Sequence, residues 1–141
     1  MKHTFETKVY YADTDAYGVV WHGAYLRWLE AGRVELCELL GVDLKTMIAE
    51  DVLLPVTNMN LKYKMSAKLD DEIIIESWIS KFNGFSVTFK QKIIDKASGK
   101  TCIEAEFDVV AISNTTKRLY RRMPARAAEI FEKEVKCLQP V

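Results

Sequence analysis

From Leu53 onward the sequence alternates, and no other feature restricts the fold as tightly. In "FSVTFKQKII" the residues Phe85, Val87, Phe89 and Ile93 fall on one side of an extended strand. Ser86, Thr88, Lys90 and Lys92 fall on the other. "CIEAEFDVVAI" repeats the pattern, with Ile103, Ala105, Phe107, Val109 and Ala111 opposite Glu104, Glu106 and Asp108. "LPVTNMNLKYKMSA" and "DDEIIIESWIS" precede them as two further strands. The connections "KLDD", Asn83-Gly84 and "KASGK" are short, and short connections call for antiparallel neighbours. The expectation is a meander with one apolar and one polar face.

An apolar sheet face needs a cover. Phe5 to Tyr11 reads as a first strand, and a helix follows from about His22 to Leu40. Along it Tyr25, Trp28, Leu29, Gly32, Leu36 and Leu39 recur at helical spacing, while Leu26, Val34 and Cys37 lie off that stripe. Such a helix is covered on more than one side. Gly41 supplies its C-terminal stop, "VDLKTMIAED" reads as a short second helix and "RRMPARAAEIFEKEVKCL" as a C-terminal amphipathic one. The economical arrangement is α+β: an antiparallel sheet of about five strands wrapped around one long central helix. Its free edges are of the kind that pair between subunits.

The chain of 141 residues fits a single domain spanning 1–141. Twenty Lys and Arg balance twenty Asp and Glu, which is not the footprint of a nucleic-acid or anionic-membrane binder. Cys37, Cys102 and Cys137 are far apart and form neither a CxxC pair nor a Cys/His cluster, so reduced thiols and no metal are expected. The opening "MKHTFETKVYYADTD" lacks the apolar core of a signal peptide and no apolar run is long enough to span a bilayer, so a soluble, cytoplasmic protein is expected.

The chemistry is concentrated in "YYADTDAYGVVWHGAYLRWLEAGR", Tyr10 to Arg33. Two aspartates, Asp13 and Asp15, stand in the turn that feeds the helix, and His22 stands where the helix begins. The first turn of a helix carries N–H groups without intrahelical partners at the positive end of its dipole. Gly18, Gly23 and Ala24 permit close approach there. A carboxylate beside such a terminus can attack an activated acyl group or deprotonate a water, while backbone N–H groups receive the oxyanion. An aspartate in this position also serves as a cap or turn former, and the residues by themselves leave both readings open.

The same stretch resembles the opening motif of hotdog-fold acyl-CoA thioesterases of the 4-hydroxybenzoyl-CoA thioesterase family. It is most similar to the bacterial branch associated with the Tol-Pal envelope system. The likeness extends through "NMNLKYKMSAKLDDEIIIES" and the last strands in order. It implies a hotdog fold, a homodimer with one continuous sheet, often a homotetramer, and hydrolysis of an acyl-CoA to free acid and CoA without a cofactor. The family's catalytic aspartate falls on Asp15, and the tyrosine and histidine implicated in the branch fall on Tyr11 and His22. The polarising backbone N–H falls at or beside His22. Tyr17, Gly18 and Val20 are expected to shape the substrate pocket together with a partner subunit.

Where relatives commonly carry Ala-Pro, this chain has Met65-Ser66, which is expected to alter a strand edge or the pocket rim. Lys62, Lys64, Lys81 and Arg118 are basic candidates for the phosphates of coenzyme A. Two other functions stand beside hydrolysis: a hotdog dehydratase or hydratase, and a non-catalytic acyl-binding protein. The interval of seven residues from Asp15 to His22 departs from the dehydratase pattern, and a binder needs no set such as Tyr11, Asp15 and His22. The acyl group, and the choice between CoA and acyl carrier protein, are not specified by these residues.

Overall fold

A computed structural model describes residues 1–138 of the chain. In chain order its elements are β1 (His3–Lys8), α1 (His22–Leu40), α2 (Leu44–Ala49), β2 (Val52–Leu53), β3 (Val56–Tyr63), β4 (Glu72–Phe82), β5 (Val87–Asp95), β6 (Thr101–Val109), β7 (Ile112–Ser113) and α3 (Ala125–Leu138). The structure is mixed α and β, built on a five-stranded antiparallel sheet in the order β1-β4-β5-β6-β3.

Alternation has its expected outcome in the three middle strands. Ile73, Ile75 and Ile79 of β4, Val87, Phe89 and Ile93 of β5, and Ile103, Phe107 and Val109 of β6 are buried on one face. Against that face lies α1, which buries Ala24, Tyr25, Trp28, Leu29, Gly32 and Leu36. Each fully buried Leu or Ile contributes about 1.5–3 kcal/mol, so this contact dominates the core. Leu39, assigned to the same stripe, is 61% exposed. Gly41 ends α1 in the left-handed region at φ 82°.

The helix–sheet contact is not wholly apolar. Gln91 of β5 is buried; its Nε2 donates to the Leu29 carbonyl and to Ser77 Oγ, each at 2.8 Å. Its Oε1 accepts from Arg33 Nη1 at 3.0 Å, and the Arg33 guanidinium lies 3.9 Å from the centre of the Phe107 ring. Burial lowers the pKa of Arg33. Every polar atom of the Gln91 amide is therefore partnered, as burial demands. Gly32 packs directly over this seam: a Cβ there would stand 2.6 Å from Ser77 Oγ and 2.9 Å from Ile75 Cγ2.

Two expectations are corrected. The four-strand meander is broken, because β3 pairs with β6 and not with β4, whose free side is taken by β1. Residues 64–71 carry the chain from β3 across to β4. That crossing spans three strand spacings, about 14 Å, and eight residues reach up to about 27 Å. The first strand is also shorter than Phe5 to Tyr11: β1 ends at Lys8, and Tyr11–Asp13 form a 3-10 turn. Asp13 causes the bend by accepting the Tyr10 N–H on Oδ2 at 2.9 Å.

A second, two-stranded ladder joins β2 to β7. Asp51, at φ 63°, anchors it: its carboxylate accepts from Ser113 Oγ at 2.7 Å and from Thr115 N and Oγ1 at 2.8 Å. These hydrogen bonds to Ser113 and Thr115 pull the Asp51 carboxyl down to about 2. Helix α3 packs against β4, with Phe131 buried against Phe82. No helix among the described residues is long and apolar enough to cross a membrane.

Candidate active site

Three segments converge on the start of α1: the turn 9–20, the first turn of the helix, and the crossing 64–71. The crossing runs along the turn and is tied to it. Val20 N donates to the Ala67 carbonyl at 2.9 Å, Val9 N to Asp71 O at 2.9 Å, and Val19 bridges to Lys68.

The two aspartates of the turn are in different situations. Asp13 is 5% exposed and fully engaged. Besides the Tyr10 N–H, it accepts Arg27 Nη2 on Oδ1 at 2.5 Å, and its carbonyl accepts the Trp21 N–H at 3.0 Å. It ties the turn to the second turn of α1. Asp15 is only half-buried, and Oδ1 accepts the Tyr17 N–H at 2.8 Å. Its backbone N–H donates to Val19 O and its carbonyl accepts the Gly18 N–H, closing a tight loop that requires φ 80° at Gly18. Asp15 Oδ2 takes no protein donor among the described residues.

Helix α1 begins at His22 after an extended Trp21, φ −71° and ψ 147°, with no side-chain cap. The N–H groups of His22 and Gly23 take no acceptor among the described residues. They form the electropositive end of a 19-residue helix. Gly23 is less open than its lack of a side chain implies, because the Trp21 ring covers it. A Cβ would stand 2.0 Å from the indole Cζ3.

Asp15, Val20 and His22 line one cleft of about 330 Å³ with Tyr25, Tyr63, Lys64, Met65 and Ser66. Tyr25 is buried, which raises its pKa, and its hydroxyl accepts the Ala67 N–H at 2.9 Å. Lys64 Nζ lies 3.1 Å from Glu104 Oε1 and holds that carboxyl below its ordinary range. Tyr11 and Tyr17 are 83% and 91% exposed and, with Gly18, stand outside the cleft lining of this single chain. Met65 and Ser66 do form part of the rim.

Tyr63 is the site residue that the sequence reading did not single out. Only the register reveals it: it ends the row Met59, Leu61, Tyr63 of the edge strand β3, paired with Phe107, Ala105 and Ile103 of β6. A second cavity of about 220 Å³, mostly apolar, opens farther along α1, where Arg33, Val34 and Cys37 face α2 and β2.

Residues 9–133 match the Thioesterase-like superfamily. Acyl-CoA thioester hydrolase YbgC of Escherichia coli is 36% identical over 105 residues, 74% of this chain and 78% of the relative. Putative acyl-CoA thioesterase YneP of Bacillus subtilis is 36% identical over 100 residues, 71% of this chain and 72% of that protein. A DHNA-CoA thioesterase from Staphylococcus aureus superposes with a TM-score of 0.85 at 26% identity, covering 97% of this chain and 92% of that one. The chain belongs to the Thioesterase-like superfamily, and these three relatives carry the names of thioester hydrolases or thioesterases.

Proposed function

We propose that the chain hydrolyses an acyl-CoA thioester to the free acid and CoA at the Asp15 cleft. The observation that carries this reading is the placing of a carboxylate with a free oxygen and an uncapped helix start in the same cleft. With the thioester carbonyl set between them, Asp15 attacks carbon or deprotonates the water that does so. The carbonyl oxygen becomes an oxyanion facing the N–H groups of His22 and Gly23, and the C–S bond breaks as CoA leaves. If Asp15 is the nucleophile, water then opens the resulting anhydride. This chemistry asks for no cofactor. CoA enters only as part of the substrate.

His22 and Tyr11 are read as auxiliary catalytic groups, and Tyr17, Gly18 and Val20 as walls of the acyl pocket. For Tyr11, Tyr17 and Gly18 the reading requires a second copy. Support for that copy comes from β3, which has β6 on one side and no strand on the other among the described residues. Its Val56, Met59 and Tyr63 are exposed, as is Val34 of α1. Antiparallel pairing of two β3 edges would cover them and continue the sheet across a homodimer. The arrangement is a hotdog, with α1 as the helix at the centre of a single domain, and the unpaired cysteines suit a cytoplasmic protein.

The test is thiol release from short, medium, long and aromatic acyl-CoAs, with Asp15→Asn alongside. Turnover of one class, abolished in the variant, is the expected result. Full turnover by the variant would remove Asp15 from the reaction, and no release from any acyl-CoA would remove the reaction itself.

A further inference from the structure

We propose that Tyr63 is a positioning residue for this cleft: its hydroxyl grips the His22–Gly23 peptide and makes the Gly23 N–H the stronger, better-aimed oxyanion donor. The proposal rests on the reading of the cleft as a thioester-hydrolysing site.

Tyr63 is half exposed at the free edge of the sheet, yet both ends of its side chain are engaged. The ring meets Tyr25 edge-on at 5.8 Å, and Tyr25 meets Trp28 in the same way at 5.7 Å. The hydroxyl donates to the His22 carbonyl at 3.3 Å. That carbonyl and the Gly23 N–H belong to one peptide unit. A donor on the oxygen end of an amide draws electron density from nitrogen and strengthens the N–H as a donor, so the two hydrogen bonds reinforce each other. The result is a chain from Tyr63 O–H, on the wall of the cleft, through the His22–Gly23 peptide to an N–H that takes no acceptor among the described residues.

The grip matters because, apart from the Trp21 ring, the helix start is held by backbone alone. No side chain caps α1, and Gly23 has no Cβ to hold it. Its neighbours supply the rest: Trp21 N is held by Asp13 O at 3.0 Å and Ala24 N by Trp21 O at 3.0 Å. Tyr63 adds a side-chain donor to the peptide between them. It also links the cleft to the sheet edge, since Tyr63 is the last residue of β3.

Tyr63→Phe keeps the ring on Tyr25 and removes only the hydroxyl. The expected result is a kcat lowered roughly tenfold, with KM within about twofold and Tm unchanged, because the effect falls on the transition state. The Gly23 amide proton resonance of the free protein should move upfield. An unchanged kcat overturns the proposal. So does a loss confined to KM or accompanied by a fall in Tm equal to that of Tyr63→Leu, which would make the residue a packing element. Should the wild-type chain release no thiol from any acyl-CoA, the functional reading fails by itself. The Gly23 resonance still decides whether Tyr63 grips the peptide, and an unmoved resonance overturns it.

Discussion

Asp13 and Arg27 meet at 2.5 Å, joining a buried carboxylate in the entry turn to an exposed guanidinium in the second turn of α1. Asp13 also receives the Tyr10 N–H, so one side chain sets both the bend of the chain and the angle at which it enters the helix.

Removing that carboxylate leaves the part-buried Tyr10 N–H without its acceptor and Arg27 without its partner. Asp13→Ala is expected to destabilise the fold by about 2 kcal/mol, seen as a fall of several degrees in Tm. Whatever activity remains should track the folded fraction. A Tm equal to that of the wild type would show that Asp13 does not hold the turn.

Asp15→Asn is expected to behave in the opposite way. The amide can still accept the Tyr17 N–H, so thermal unfolding should hardly change. Loss of the anion is expected to lower kcat by roughly 10²–10⁴-fold. The two aspartates, two positions apart, would thus separate stability from catalysis in one pair of measurements.

Gly32→Ala tests the Gln91 seam. Alanine favours a helix interior by about 1 kcal/mol over glycine. Here the added methyl would press on Ser77 Oγ at 2.6 Å and Gln91 Nε2 at 3.0 Å. The expected sum is a net loss of about 1–2 kcal/mol by denaturant unfolding. A stabilised variant would mean that the seam yields.

Acid should loosen the β2–β7 ladder before it reaches the core. Asp51 has its pKa lowered to about 2 by Ser113 and Thr115. A depressed carboxyl contributes stability that is present above its unfolded value, about 3.9, and is lost as pH falls through the folded one. Between about pH 4 and pH 2 the wild type should therefore lose stability that Asp51→Asn lacks throughout. Parallel acid limbs for the two proteins would sink this assignment.

The thiols should differ in reactivity. Burial pushes Cys37 up to about 12 and Cys102 up to about 11, whereas Cys137 is exposed on α3. At pH 8 a chromogenic disulfide is expected to modify one thiol rapidly in the native state and all three only on unfolding. Rapid labelling retained in Cys137→Ser would contradict it.

How much of this is legible in the sequence depends on what each signal encodes. Period two exposes β4, β5 and β6 because their two faces meet different environments, and the same logic places α1 to the residue. Alternation says nothing of which strand lies beside which, so a meander puts β3 beside β4 although its partner is β6. Gln91 and Ser77 sit in apolar rows, and only their packing against Leu29 and Arg33 gives polar side chains a reason to be there. Asp15 and His22, which line one cleft, both stand in the motif. The distinct employment of Asp13 could not be read there, because its partner Arg27 is a tertiary neighbour. Tyr63 was hidden for the same reason.

The crossing from β3 to β4 has a consequence for synthesis. Strand β3 is made early but has no place to lie until β6, some forty residues later, has been laid against β5. Tyr63 and Lys64, one wall of the cleft, arrive with it. A chain emerging from the ribosome therefore carries Asp15 and the helix start from the outset, but it gains a closed site only when its last long strand is delivered.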